Sequence, residues 1–469
     1  MGTQADIKAG RERASLRQAL RMRHMTMISL GGVIGAGLFV GSGAVIQTTG
    51  PAAVVSYALA GFLVILIMRM LGEMATARPA VGSFAEYGRM ALGEWAGFLM
   101  GWLYWYFWVI VVAVEATAGA LTLHNWLFPG VPLWVLSLIL LLLLTLSNLL
   151  SVRSYGEFEY WFAFIKVAAI VVFIVLAGLF VLGLWPGSHL NFSNLVAHGG
   201  FAPKGVGALF ADVTTLIFSF FGSEIVTIAA AESKEPAKAV ARATNSVIWR
   251  VLVFYVLSIF LIVTMIPWND SKALASPYVS ALSMLHIPGV AAAMNVVVIT
   301  AVLSCLNSGL YTASRMLFAL AYQGNAPKAL LRTNRRGVPA RAILFCTIVG
   351  YLSIIMDYVS PQHVFLFLLN SSGAVGLFIY LLIACSELVM RRRMEREGEE
   401  LKVRMWLFPF LTYLCIAAMT AVIVAMAFQP GDLSQLVLSL VSVAVLLVLY
   451  GVKRWYTGRG RSAGDAIRS

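Results

Sequence analysis

Apolar residues run along this chain in long blocks instead of the short alternations of a soluble fold. A window of about 19 residues picks out twelve such stretches, near 25–49, 52–77, 95–123, 131–150, 156–185, 205–231, 247–268, 288–322, 340–358, 362–390, 405–427 and 433–452. A helix that crosses a bilayer needs about 20 apolar residues, so each stretch predicts one membrane span. Turn formers punctuate the gaps: Thr49-Gly50-Pro51, Pro129-Gly130-Val131-Pro132, Trp185-Pro186-Gly187 and Gln429-Pro430-Gly431-Asp432. No intervening segment is long enough to fold alone. The expectation is an all-α integral membrane protein of twelve transmembrane helices.

Composition agrees with that pattern. Of 469 residues, 60% are hydrophobic and 12% charged, against roughly 25% charged in a soluble domain, which excludes a soluble enzyme. A net charge of +13 would suggest a nucleic-acid partner in a soluble protein; in a membrane protein its location decides, because Lys and Arg gather in cytoplasmic loops. With both termini inside, thirty of the 34 Lys and Arg fall in inner tails and loops, including Arg153, the cluster across 232–250 and the run Arg391-Arg392-Arg393. The outer loops hold Lys204 and Lys272, and Lys166 and Arg315 lie within spans. Cytoplasmic tails are thus expected at 1–24 and 456–469. The basic N-terminus is followed by an apolar run too long for a signal peptide, which predicts a retained first span. Cys305, Cys346, Cys385 and Cys415 all sit in apolar stretches, so neither a disulfide framework nor a metal site is expected.

Two spans are interrupted. The first contains six glycines between Gly31 and Gly43, although each Gly costs about 1 kcal/mol against Ala inside a helix. Ile34-Gly35-Ala36-Gly37 is its densest part and reads as an unwound segment; at Gly41 and Gly43 close helix packing explains the small residues equally well. The sixth span carries Ser219-Phe220-Phe221-Gly222-Ser223-Glu224, a polar, acidic interruption. These interruptions open two units of five spans, about 25–185 and 205–391, with a peripheral pair over 404–455. Non-helical backbone at membrane depth is tolerated where it lines a cavity or is buried in protein, and inverted-repeat transporters place substrate where two discontinuous helices meet. Free N–H groups at the start of one half-helix bind a carboxylate, and free carbonyls at the end of another accept from an ammonium. Together they fit an amino-acid zwitterion.

Ionisable residues within spans are costly and mark function by default. Glu115 in the third span has two readings, an acceptor for a substrate ammonium or a structural hydrogen bond to a neighbouring helix. Glu224 either shapes the sixth-span break or takes part in substrate or proton coupling. Lys166 lies deep in the fifth span; it can lose and regain a proton during a transport cycle or sit in a permanent ion pair. Arg315 reads as a gate or topology residue within reach of Glu232 or Glu235, and Glu73 as structural. The run Ser304-Cys305-Leu306-Asn307-Ser308 in the eighth span is either interhelical glue or part of a permeation path.

These residues resemble the amino acid permeases of the amino acid–polyamine–organocation superfamily. The matching segments are Gly32 to Ala36, Leu38 to Ser42, Met68 to Leu71, Gly101 to Trp105, Asn148 to Val152, Tyr155 to Glu159, Ile266 to Asn269, Ser304 to Ser308, Tyr311 to Met316 and Ser371 to Ala374. The runs Glu224 to Ser233 and Val240 to Arg250, with Val114-Glu115-Ala116, resemble the branch that carries γ-aminobutyrate (GABA). The resemblance implies a five-plus-five inverted repeat with discontinuous helices 1 and 6, the fold of the leucine transporter, in a bacterial inner membrane. It implies that Ile34, Gly35, Ala36 and Gly37 bind the carboxylate through backbone N–H, and that Phe220, Phe221 and Gly222, next to Ser223, offer carbonyls and an aromatic gate. It implies that Lys166 stands where sodium binds in sodium-dependent relatives. From its place at the break Glu224 joins Lys166 as a candidate for proton coupling, and Cys305, from the polar run of the eighth span, joins the candidates for substrate binding. Glu115 then suits the remote ammonium of an ω-amino acid. The expected function is proton-driven import of GABA or a similar compound. The alternatives are a permease for proline, an aromatic or another neutral amino acid, an exchanger, and a nutrient sensor on a transporter fold. No nucleophile–base set or phosphate loop stands out, so no enzyme activity, no cofactor beyond the proton gradient, and no nucleic-acid partner are expected.

Overall fold

Lipid offers no hydrogen bonds, so a chain of apolar blocks satisfies its backbone internally by forming helices. The computed structural model describes residues 20–466 apart from 32–33, 40, 81, 151, 211–212 and 360–373. Among the described residues there is no strand, only an isolated bridge between Leu20 and Ser233. The first half comprises α1 (Met22–Gly31), α2 (Ala36–Phe39), α3 (Gly41–Thr49), α4 (Ala53–Ala77), α5 (Phe84–Leu92), α6 (Glu94–Trp126), α7 (Leu133–Leu150) and α8 (Val152–Val181). The second begins with α9 (Val213–Phe220), α10 (Ile225–Ala229) and α11 (Pro236–Trp249), which passes through a π-helical stretch, Arg250–Leu257, into α12 (Ser258–Met265). Then come α13 (Pro277–Ser283), α14 (Val290–Tyr322), α15 (Ala340–Val359), α16 (Val375–Glu397), α17 (Phe410–Met426) and α18 (Pro430–Ala466). Seven helical stretches among the described residues are long and apolar enough to cross a membrane, and Ala340–Met356 and Phe410–Met426 are shorter apolar helices.

Several boundaries differ from the sequence expectation. The expected span 205–231 is a short 3-10 turn at Val206–Phe210 followed by the two pieces α9 and α10. The expected inner loop 232–250 is helical from Pro236, a residue suited to the first helical turn because its missing N–H is not needed there. Arg250, counted from sequence among the loop cations, is only 3% exposed. At the other end α18 runs on to Ala466, past the point where the apolar run stops. The start of the tenth span, with Ser371, Ser372 and Gly373, lies outside the described residues, as do Gly32, Val33 and the N-terminal Lys8, Arg11, Arg13 and Arg17.

Burial separates centre from rim. The apolar window of α6 is 83% buried and that of α18 only 11%. Glycines let α6 and α14 lie close: a Cβ at Gly309 would meet Trp108 at 3.0 Å and Val112 at 3.1 Å. The outer helices expose Leu143, Val172, Ile355 and Val448, an apolar surface far beyond what a soluble monomer presents. Lipid is the solvent that such a surface fits.

Candidate functional site

The first break begins where α1 ends at Gly31 and α2 starts at Ala36. Ile34 and Gly35 are non-helical and buried, while Ala36 and Gly37, expected to be unwound, already belong to α2. The unwound piece is therefore shorter than the glycine pattern suggested. The Gly35 carbonyl accepts from Leu38 N at 3.2 Å and Phe39 N at 3.3 Å, so it starts the half-helix, and the N–H groups at that start have no acceptor within the helix. Gly35 cannot be enlarged: a Cβ there would run into Cys305 Sγ and would lie 3.5 Å from Glu115 Oε1. This close approach brings three sequence-selected residues together, from the first break, α6 and α14. Glu115 is 3% exposed and Cys305 7%.

The second break is Phe221 to Glu224, a turn between α9 and α10. Gly222 has φ 111°, a conformation that side-chain-bearing residues rarely adopt. Glu224 closes the turn on itself. Its carboxylate accepts from Gly222 N at 3.1 Å, from Tyr104 OH at 3.0 Å and from Tyr380 OH at 3.3 Å, so donors from the turn, α6 and α16 converge on one buried acceptor. Of the carbonyls expected for the amine, Phe220 O already accepts from Ser223 Oγ at 3.0 Å and Gly222 O from Ile225 N at 3.2 Å. Tyr255 OH donates to Ser219 O at 2.8 Å. Rings pack around the break: Phe221 lies 4.2 Å from Phe107 and 5.0 Å from Tyr380, and Phe220 lies 4.3 Å from Tyr255. The half-helices next to the two breaks touch, since a Cβ at Gly37 in α2 would be 3.0 Å from Ser219 Oγ in α9.

Lys166 is fully buried and donates to Ser304 Oγ at 2.8 Å. Ser304 donates in turn to Glu159 Oε1 at 2.6 Å, Asn307 Nδ2 lies 3.4 Å from Glu159 Oε2, and Asn148 Nδ2 donates to Asn307 Oδ1 at 2.9 Å. The polar run of the eighth span is thus joined to Lys166 on one side and to the first break, through Cys305, on the other. Glu159 and Asn148 were not singled out from sequence except within matching segments. The rule that selected Lys166 could have found Glu159, because it too is ionisable and lies inside the predicted fifth span. Tyr104, Tyr255 and Tyr380 carried no such signal.

Arg315 reaches Glu232, with Nε 2.8 Å from Oε1 and both side chains buried, whereas Glu235 pairs with Lys238 at 3.1 Å. The Arg315 guanidinium also lies 4.0 Å above the Tyr311 ring, which stacks on Tyr155 at 3.8 Å. Leu20 N donates to Glu232 O at 3.1 Å, tying the segment before α1 to the end of the second broken helix. Glu73 is structural: it takes Arg391 Nη1 at 2.7 Å and Met405 N at 2.6 Å. Arg250 is different, buried with none of its three guanidinium nitrogens hydrogen-bonded.

The family model described as amino acid permease matches residues 24–463. The chain is 53% identical to the gamma-aminobutyric acid permease of Bacillus subtilis, with 94% of each chain covered. It is 48% identical to the gamma-aminobutyric acid permease of Escherichia coli, covering 93% of this chain and 94% of that one. It is 39% identical to an aromatic amino acid transport protein of Corynebacterium glutamicum, with 92% and 94% covered. Among solved structures, the manganese transporter of Eremococcus coleocola matches with a TM-score of 0.58 at 14% identity, over 92% of this chain and 93% of that one, and so shares its fold. A bundle built round two broken helices, in a chain so similar to permeases along nearly its whole length, is a multi-pass membrane transporter and not an enzyme: it belongs to the amino acid permease family.

Proposed function

We propose that this protein imports γ-aminobutyrate, or a similar ω-amino acid, by proton symport. The observation that carries the reading is the contact between the half-helices next to the two breaks, Gly37 against Ser219, with the Glu115 carboxylate beside Gly35. The substrate carboxylate binds the N–H groups of Ile34, Gly35, Ala36 and Gly37, which the positive end of the half-helix favours. The rings of Phe220 and Phe221, with Gly222 and Ser223, cover it. Glu115, next to Gly35 and Cys305 at the first break, is the carboxylate given to the substrate ammonium. The GABA permeases at 53% and 48% identity support this substrate over an α-amino acid. Lys166 exchanges the coupled proton. Glu224, with its carboxylate spent on the turn, holds the second break in shape and gates proton coupling through it.

The architecture that suits this cycle has twelve spans, ten of them in two inverted five-span units, 25–185 and 205–391, with 404–455 at the periphery. The protein sits in the bacterial inner membrane with both tails, 1–24 and 456–469, in the cytoplasm. Uptake of labelled GABA into liposomes, with and without an inward proton gradient and competed by proline, phenylalanine, lysine and β-alanine, tests the reading. Gradient-driven GABA uptake that the α-amino acids fail to inhibit is expected. Uptake of an α-amino acid in place of GABA would remove the role given to Glu115, and accumulation that ignores the gradient would make the protein an exchanger.

A further inference from the structure

Lys166 and Glu159 lie on one helix, seven residues and so two turns apart, a rise of about 10 Å. Ser304 from α14 stands between them, accepting from Lys166 Nζ at 2.8 Å and donating to Glu159 Oε1 at 2.6 Å. All three side chains are fully buried. A hydroxyl both donates and accepts, which makes it one of the few side chains able to connect an ammonium to a carboxylate with a continuous line of protons. Two opposite charges taken out of water incur a desolvation cost that their attraction need not offset. They are a good way to build two states that differ in where one proton sits.

We propose that Glu159 is the second proton site of the transport cycle, and that Ser304 carries the proton between it and Lys166. In the transfer the Lys166 ammonium gives a proton to Ser304 Oγ as Ser304 gives its own to Glu159 Oε1. Lys166 becomes a neutral amine, Glu159 a neutral carboxylic acid, and Ser304 ends as it began. No other reactant is needed, and a charged pair becomes a neutral one. The groups around the relay fit this exchange. Cys305, the next residue on α14, faces Gly35 and Glu115, so occupation of the first break is felt one residue from Ser304. On the other side of Glu159, Asn307 approaches Oε2 at 3.4 Å and is itself held by Asn148. Tyr155, one turn before Glu159 on α8, has its hydroxyl 3.4 Å from Ser308 Oγ and stacks on Tyr311, beyond which lies the Arg315–Glu232 pair. The charged neighbours of the relay are thus Glu115 on the side of the break and that ion pair on the other.

The inference rests on the proton-symport reading, and two assays on one preparation separate their failures. In liposomes, gradient-driven uptake of labelled GABA measures coupling, while GABA counterflow without a gradient measures binding and alternation. For Glu159→Gln and Ser304→Ala, gradient-driven uptake is expected to fall by on the order of tenfold or more, the scale of a coupling free energy, while counterflow persists. Ser304→Thr, which keeps the hydroxyl, is expected to retain both. Glu159→Gln that accumulates GABA like the parent overturns the relay, and so does equal loss of both activities in Glu159→Gln and Ser304→Ala, which marks a structural network. A parent protein that ignores the gradient overturns symport and the relay with it.

Discussion

The two interrupted helices are broken by opposite means. At the first break the chain is bare: a Cβ at Gly35 would clash with Cys305 Sγ and one at Gly37 would press on Ser219 at 3.0 Å, and the neighbouring helices hold the segment by contact. At the second break the chain is tied, with Glu224 collecting hydrogen bonds from Gly222, Tyr104 and Tyr380, and with Glu232 clamped to Arg315 at the far end of the same broken helix. A break made by absence leaves its own N–H groups available for a ligand. A break made by a carboxylate is already satisfied internally, and what it offers a ligand is a rigid wall. On the proposed reading the two halves of the site therefore differ in kind: the first offers the substrate backbone N–H groups and the second a wall held in shape by Glu224.

Substitutions at the two breaks sharpen that contrast. The largest effect is expected at Glu232→Ala, which strands the buried Arg315 guanidinium without its anion at a cost of about 3–5 kcal/mol. Thermal unfolding in detergent measures it, and Glu232→Ala combined with Arg315→Met should recover part of the loss; no recovery would show that the pair is not the cause. Next come the breaks themselves. Glu224→Gln removes one acceptor from the knot and should cost about 1–3 kcal/mol, with GABA uptake reduced alongside stability. Gly35→Ala overpacks the first break, also by about 1–3 kcal/mol, but here Cys305→Ala as a second substitution should restore uptake by vacating the contested space. If the cysteine change rescues Glu224→Gln as well, the two breaks are not independent and the contrast fails. The smallest effect belongs to Ser223→Ala, which deletes the hydroxyl bonded to Phe220 O for about 0.5–1.5 kcal/mol. An unfolding shift as large as that of Glu224→Gln would mean that the serine, and not the carboxylate, sets the turn.

Both breaks were legible because each violates the pattern around it: glycines crowd a stretch that should favour Ala and Leu, and a polar acidic run interrupts an apolar helix. Lys166 and Glu115 were legible for the same reason. The extent of the first break was not, since nothing local distinguishes Gly35, outside the helix, from Gly37, inside it. Arg250 was misplaced as a loop cation because it sits where charge and apolar run meet, and only packing shows that the π-helical stretch after α11 carries it inside. Two of the three partners of Glu224, Tyr104 and Tyr380, lie more than 100 positions away and look like ordinary span residues.

Sequence alone therefore determined which segments leave water, where their helices cannot continue, and which side chains carry charge into the apolar interior. These are properties of a residue and its near neighbours, governed by hydropathy, backbone propensity and the cost of buried charge. The tertiary structure decided which of those charges meet. A hydrogen bond forms within about 3 Å, and whether Ser304 lies between Lys166 and Glu159, or Cys305 against Gly35, depends on the rotation and height of α14 relative to α8 and the first break. Helix-to-helix registry of that kind is set by the packing of the whole bundle, and no short stretch of the chain encodes it.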